Sequence, residues 1–186
     1  MSKESKPARR SPRETALRTR NIAISGVLAA LYVVLTLPFA QIAFGPIQAR
    51  LAEILTILPI FTPYAIPGIT IGCFLANLFN PSNLGPIDII FGTLATLIAG
   101  LLTRKIGNGQ SMVGIVLGIL PPVIVNALIV GAYLVFLLPT DVTGGITLAA
   151  IFTSVASVGL SEALMLTILG IPFALMVKRM KLFERR

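Results

Sequence analysis

The 186-residue chain contains no histidine and one cysteine, Cys73. Those absences exclude a disulfide framework, His-based zinc sites and any Ser-His or Cys-His nucleophile, and with them most chemistries of intramembrane hydrolases. No G-x-x-x-x-G-K-[ST] loop is present. GNGQS and TGGIT lack the lysine, so the chain holds no nucleoside triphosphate in the P-loop manner. It also lacks the clear internal repeat that marks inverted-repeat secondary transporters. Charge is scarce: 12% of residues are charged against 55% hydrophobic, and the mean hydropathy is +0.92. A water-soluble domain of this length could not hide that much apolar surface, so the bilayer is the solvent.

What charge there is sits in three places. The net charge of +8 is confined largely to the two ends and one short loop, a pattern that membrane topology explains and that gives no reason to expect nucleic acid as a partner. Residues 1–20 carry seven Lys/Arg and two Glu with Pro7 and Pro12. They read as a basic, solvated and disordered tail. The apolar run behind them, 22–43, is longer than the h-region of a signal peptide, so the tail is expected to be retained.

Proline, glycine and charge divide the remainder into six apolar stretches, 21–43, 51–64, 66–79, 86–104, 111–138 and 146–177. The second and third are short. About fourteen residues at 1.5 Å each reach only roughly 21 Å, less than the hydrocarbon thickness, so they must tilt, thin the bilayer, pack inside the bundle or form a re-entrant hairpin. Six crossings with the N-terminus inside put fourteen of the fifteen basic residues in the cytoplasm, including Arg104, Lys105 and the 179–186 tail. The expected fold is therefore an all-α membrane protein, a bundle of six transmembrane helices over 21–178 with both termini cytoplasmic. Arg50 alone is left outside.

Few polar groups lie at membrane depth: Arg50, Glu53, Asp88 and Glu162, with Gln41, Gln48, Asn77 and Asn126. Such groups persist where they face a bundle interior or an aqueous cavity. Asp88, Asn126 and Glu162 each stand sixteen residues from the cytoplasmic end of their stretch, roughly 24 Å up a helix, so three helices put a polar group at one level. A layer of this kind is the expected form of a solute site, with helix-to-helix hydrogen bonding as the plainer alternative for Asn126 and a helix N-terminal position for Asp88. Glu162 has no cation on its own helix, and an unpaired buried carboxylate is expensive. Arg50 and Glu53, three residues apart, either satisfy each other or close the outer side of the same cavity, Arg50 then being oriented by Glu53 or Asp88. Phe44, Phe61, Phe79 and Tyr133 are stacking candidates. On the first helix, Ser25/Ala29 and Gly26/Ala30 form two overlapping small-xxx-small pairs that admit another helix closely.

The runs ARLAEILTILPIFTPYAIPGITIGCFLANLF, DIIFGTLATLIAGLLTRKI, PPVIVNALIVGAYL and SEALMLTILGIPFAL resemble the queuosine-precursor transporter (QueT) family, substrate-binding S components of energy-coupling factor (ECF) transporters. The resemblance runs from Asn21 to Val177. It implies a six-helix S component in the cell membrane that captures a vitamin-like solute from outside, docks onto a transmembrane scaffold subunit driven by two cytoplasmic ATPases, and topples to release its cargo. It implies no cofactor and no enzymatic activity. An AxxxA-like patch on the first helix meets the scaffold in such proteins; here the matching positions are Ser25/Ala29 or Gly26/Ala30. The implied solutes are 7-deazaguanines such as preQ0, preQ1 or queuine, with Glu162 accepting from the base edge, Asp88 or Glu53 pairing with an aminomethyl cation, and Asn126 and Asn77 reading the carbonyl and ring nitrogens. The alternatives are an S component for another vitamin-like solute, a stand-alone small permease, or a membrane enzyme using the same carboxylates as acid and base.

Overall fold

A computed structural model describes residues 11–40, 50–80, 84–107 and 111–183. Gln41, Gln48 and Phe44 lie outside the described residues. Helix α1 spans Pro12–Thr36 and runs on through a 3-10 turn, Leu37–Phe39. A 3-10 helix follows at Leu51–Ile60, then α2 at Ala65–Phe79. A π turn, Asp88–Gly92, opens α3, Thr93–Ile106. Next come α4 (Met112–Gly118), α5 (Leu120–Leu137) and a single turn, α6 (Thr140–Thr143). Helix α7 (Leu148–Met165) passes through a second π turn, Leu166–Gly170, into α8 (Ile171–Met180). The described residues contain no strand.

Four helical units are long and apolar enough to cross a membrane: Pro12–Phe39, Asp88–Ile106, Met112–Leu137 and Leu148–Met180. Their outward faces carry large apolar side chains, among them Val27, Val34, Leu128, Phe152, Leu160 and Ile168. Bare hydrocarbon on the outside of a helical bundle is stable against lipid, where every backbone polar group must be satisfied within the helix.

Local chemistry sets the boundaries. Residues 12–20 are exposed, as a solvated segment should be, but helical. The Ser11 side chain accepts from the Glu14 N–H while the Glu14 carboxylate accepts from the Ser11 N–H, and Pro12 sits at the first helical position, so SPRE starts the helix nine residues before Asn21. The 111–138 stretch is not continuous. Pro121 and Pro122 supply no N–H to the ladder, and α4 ends at Gly118 before α5 begins. The stretch from Leu51 is a 3-10 helix, not an α-helix.

That 3-10 helix is the hub of the fold. It packs against α1, α2, α3, α4, α7, α8 and the second π turn, and Ala52, Leu55, Ile57, Leu58 and Ile60 are all buried in one apolar core with Tyr32, Ile69 and Leu166. Its ten residues reach about 20 Å at roughly 2.0 Å per residue, further than an α-helix of the same length. A second core, built from Ala95, Ala99, Val125, Val130, Leu134 and Val158, joins α3, α5 and α7.

Glycine permits the closest contacts. A methyl at Gly72 of α2 would lie 2.5 Å from the Tyr32 Cβ, and one at Gly68 would lie 2.8 Å from the Ser25 carbonyl oxygen. The Ser25 hydroxyl donates to the Tyr64 carbonyl at 2.8 Å, and Ala29 is buried. Ser25 and Ala29 thus lie where α1 packs against α2. Gly26 and Ala30 face outward, and a methyl at Gly26 would meet nothing.

Candidate functional site

A helix of three residues per turn eclipses every third side chain. Arg50, which caps the 3-10 helix, is therefore followed along one line by Glu53 and Thr56, and all three are buried. The Thr56 hydroxyl folds back to the Glu53 carbonyl at 2.6 Å, keeping the line polar but internally satisfied below the carboxylate. Glu53 Oε1 accepts from the Tyr32 hydroxyl at 2.7 Å. Tyr32 is fully buried one turn before the C-terminal end of α1. It is a site residue not named from the sequence, and a hydroxyl within the apolar run LAALYVVLT was the available signal.

Arg50 reaches across to the start of α3, where its Nη2 lies 3.8 Å from Asp88 Oδ1. Asp88 opens the π turn, and Tyr133 of α5 donates to the same Oδ1 at 2.7 Å. Asn77 of α2 completes the arrangement: its Oδ1 accepts from Arg50 at 3.4 Å and its Nδ2 donates to the Asp88 carbonyl at 3.1 Å. π turns leave ladder carbonyls to be satisfied from elsewhere, and Asn77 does that here. The glycine of DIIFG makes room for it, since a methyl at Gly92 would stand 2.8 Å from Asn77 Nδ2.

The remaining pair lies between α5 and α7. Asn126 Nδ2 donates to Glu162 Oε1 at 3.3 Å, and the Glu162 carboxyl is close enough to that of Glu53 for the two to interact electrostatically. Gly131 holds these helices together, as a methyl there would lie 2.7 Å from the Val155 Cα. Gly131→Ala must push α7 away from α5, at about 1–3 kcal/mol for overpacking. Its melting temperature in detergent is expected to fall, and an unchanged melt would show that the interface has slack.

All six polar residues singled out in the sequence, Arg50, Glu53, Asn77, Asp88, Asn126 and Glu162, are at most 7% exposed. They come from five separate elements, which between them contribute to both apolar cores. The level shared by Asn126 and Glu162 is realised as a hydrogen bond, while Asp88 is tied to Arg50 and Tyr133 instead. Of the aromatic candidates, Tyr133 is at the cluster. Phe79 is 63% exposed, and Phe61 lines a separate groove of about 880 Å³ with Arg18, Arg20, Tyr64 and Arg104. Among the described residues no group of three or more His, Cys, Asp or Glu is placed to hold a metal ion.

A family profile described as QueT transporter matches residues 22–179, including every residue of the cluster. The chain belongs to the QueT transporter family. A curated relative, the queuosine precursor transporter QueT of Lactococcus lactis subsp. cremoris (strain MG1363), is 36% identical over 83 residues, which is 44% of this QueT-family chain and 47% of the relative. The aligned part thus spans about half of either protein. No solved structure matches.

Proposed function

We propose that this chain is the S component of an ECF-type transporter for a queuosine precursor, binding a 7-deazaguanine and relying on other subunits for energy. The observation that carries the reading is the convergence of six buried polar side chains, from five elements, in a member of the QueT transporter family. Burial of that many polar groups is costly in a bilayer protein unless a ligand or a partner uses them. Six crossings with both termini in the cytoplasm fit the distribution of basic residues, the two short apolar helices Leu51–Ile60 and Ala65–Phe79 then supplying the second and third.

Within this reading the side chains divide by how far they are already committed. Asp88 is taken up by Arg50 and Tyr133, and Asn77 by Arg50 and the Asp88 carbonyl. These four form a frame. Glu162 accepts the N1–H and 2-amino edge of the base, a two-donor pattern that a carboxylate matches, and Asn126 orients it while reading the ring carbonyl. Glu53 faces the substituent on the five-membered ring. The test is calorimetric or thermal-shift titration of the purified protein with guanine, 7-deazaguanines and an unrelated vitamin. A response to the vitamin alone would remove the solute assignment.

Scaffold docking is assigned to Gly26 and Ala30, the small pair left facing outward. Leucine at either position is expected to reduce uptake by at least tenfold when the chain is reconstituted with scaffold and ATPases, by blocking close helix approach. Solute binding by the isolated protein should survive. Equal uptake by wild type and Ala30→Leu would move the interface elsewhere, and uptake by this chain alone would make it a permease.

A further inference from the structure

We propose that the groove at the basic end of the bundle binds the headgroup of an anionic phospholipid. The groove, about 880 Å³ in volume, shares no residue with the buried polar cluster. Its size falls within the roughly 300–1,000 Å³ of small-ligand sites. Four parts of the chain meet in it: the first half of α1, the turn leading into α2, the end of α3 through Arg104, and Phe183 beyond α8. Arg18, Arg20 and Arg104 line it against one carboxylate, Glu14, which already accepts from the Ser11 N–H in the helix cap.

The positive charge there is not cancelled from within. Arg104 is half-buried, and its Nη1 donates to the Pro59 and Ile60 carbonyls, neutral acceptors that fix the guanidinium in the wall and leave its charge in place. Arg18 and Arg20 are exposed, and among the described residues neither makes an ion pair or a side-chain hydrogen bond. Guanidinium groups suit phosphate oxygens, to which they present paired, coplanar donors. The walls point to the phosphate of a lipid. Phe61, Tyr64 and Phe183 line the same groove, and aromatic rings beside basic groups are the composition of a membrane interface. Arg20 is followed along one face of α1 by Ile24, Val27 and Leu31 at helical spacing, with Val27 66% exposed. An acyl chain lying on that track carries its phosphate to the arginines, whereas a soluble anion leaves the track and the rings unused. Basic residues that serve topology alone need no common groove: Lys178 and Arg179, at the end of α8, are exposed and do not line it.

The experiment titrates the purified, full-length protein in non-ionic detergent with short-chain phosphatidylglycerol, phosphatidylcholine of the same chain length and glycerol 1-phosphate, following the melting temperature. Phosphatidylglycerol is expected to stabilise wild type at concentrations on the order of tenfold below those phosphatidylcholine requires, and glycerol 1-phosphate to have no effect over that range. Arg18→Gln/Arg20→Gln leaves Arg104 in the wall and should raise the phosphatidylglycerol midpoint by on the order of tenfold or more, at about fivefold per basic residue. Lys178→Gln/Arg179→Gln removes the same charge outside the groove and should keep the midpoint within about twofold of wild type. Equal losses in the two variants would reduce the effect to general attraction and overturn the inference, as would equal responses to the two lipids. A matching response to glycerol 1-phosphate would give the groove to a free phosphate ester instead. A normal lipid response in Arg18→Gln/Arg20→Gln, accompanied by failure to co-purify with the proposed scaffold, would give it to a protein partner and equally overturn the inference.

Discussion

Glu162→Gln is expected to weaken 7-deazaguanine binding by about 10- to 100-fold while leaving the unliganded protein at least as stable as before. The substitution keeps the shape and one acceptor, and it still allows the Asn126 contact. It replaces the other acceptor with an NH2 group, which would point a donor at the donors of the base edge. Charge-assisted hydrogen bonds contribute about 1.5–3 kcal/mol each, and that range converts to the stated loss. Stability moves the other way because the carboxyl is buried, has no cation on its own helix and lies beside Glu53. Residues kept for a ligand commonly cost the empty protein stability. Calorimetry paired with melting in detergent reads both quantities. A variant that binds normally, or one that loses binding only because it melts early, would refute the role assigned to Glu162.

Arg50→Gln should have the opposite profile, a large loss of stability. Removing one partner of a buried ion pair leaves an uncompensated charge, at a cost of about 3–5 kcal/mol. Here that charge is Asp88, 1% exposed, whose remaining side-chain donor is Tyr133. Asn77 also loses the donor to its Oδ1. The Arg50→Gln/Asp88→Asn double variant, with no charge on either side, is expected to melt closer to wild type than Arg50→Gln alone. Additive damage in the double variant would show that the pair is not the source of the loss.

The long helices were legible because lipid imposes a composition that no other environment requires. Proline, glycine and charge cut the sequence near the observed ends of Asp88–Ile106, Met112–Leu137 and Leu148–Met180. The start of α1 was also written in SPRE, a reciprocal cap masked by the basic residues around it. The winding of Leu51–Ile60 was harder to see, since Leu, Ile and Ala fit either helix and tertiary packing decides. One trace was present: Arg50, Glu53, Thr56, Pro59 and Thr62 recur every third residue, a period of 3.0 where 3.6 was assumed. The polar residues of the cluster could be named from cost alone, because ionisable groups in a bilayer need a reason. Their partners could be named only in part: Asp88 stood as one of two alternatives for Arg50, whereas the Tyr32 and Tyr133 hydrogen bonds were not foreseen. Arg50 pairs with Asp88 thirty-eight residues away through a π turn that has no clear sequence signature, and Tyr32 is drawn in by close packing at Gly72.

The 3-10 winding has a mechanical consequence. Rewound as an α-helix, the ten residues of Leu51–Ile60 would shorten by roughly 5 Å, about 0.5 Å per residue, and successive third side chains would rotate about 60° out of line. Arg50 and Glu53 would then no longer present together to Asp88 and Tyr32. Pro59 provides no N–H to either ladder, and its ring would clash with the Leu55 carbonyl in an α-helix, so it favours the 3-10 winding. The pitch of this segment at the centre of the bundle thus determines whether the charged groups of the site are in register.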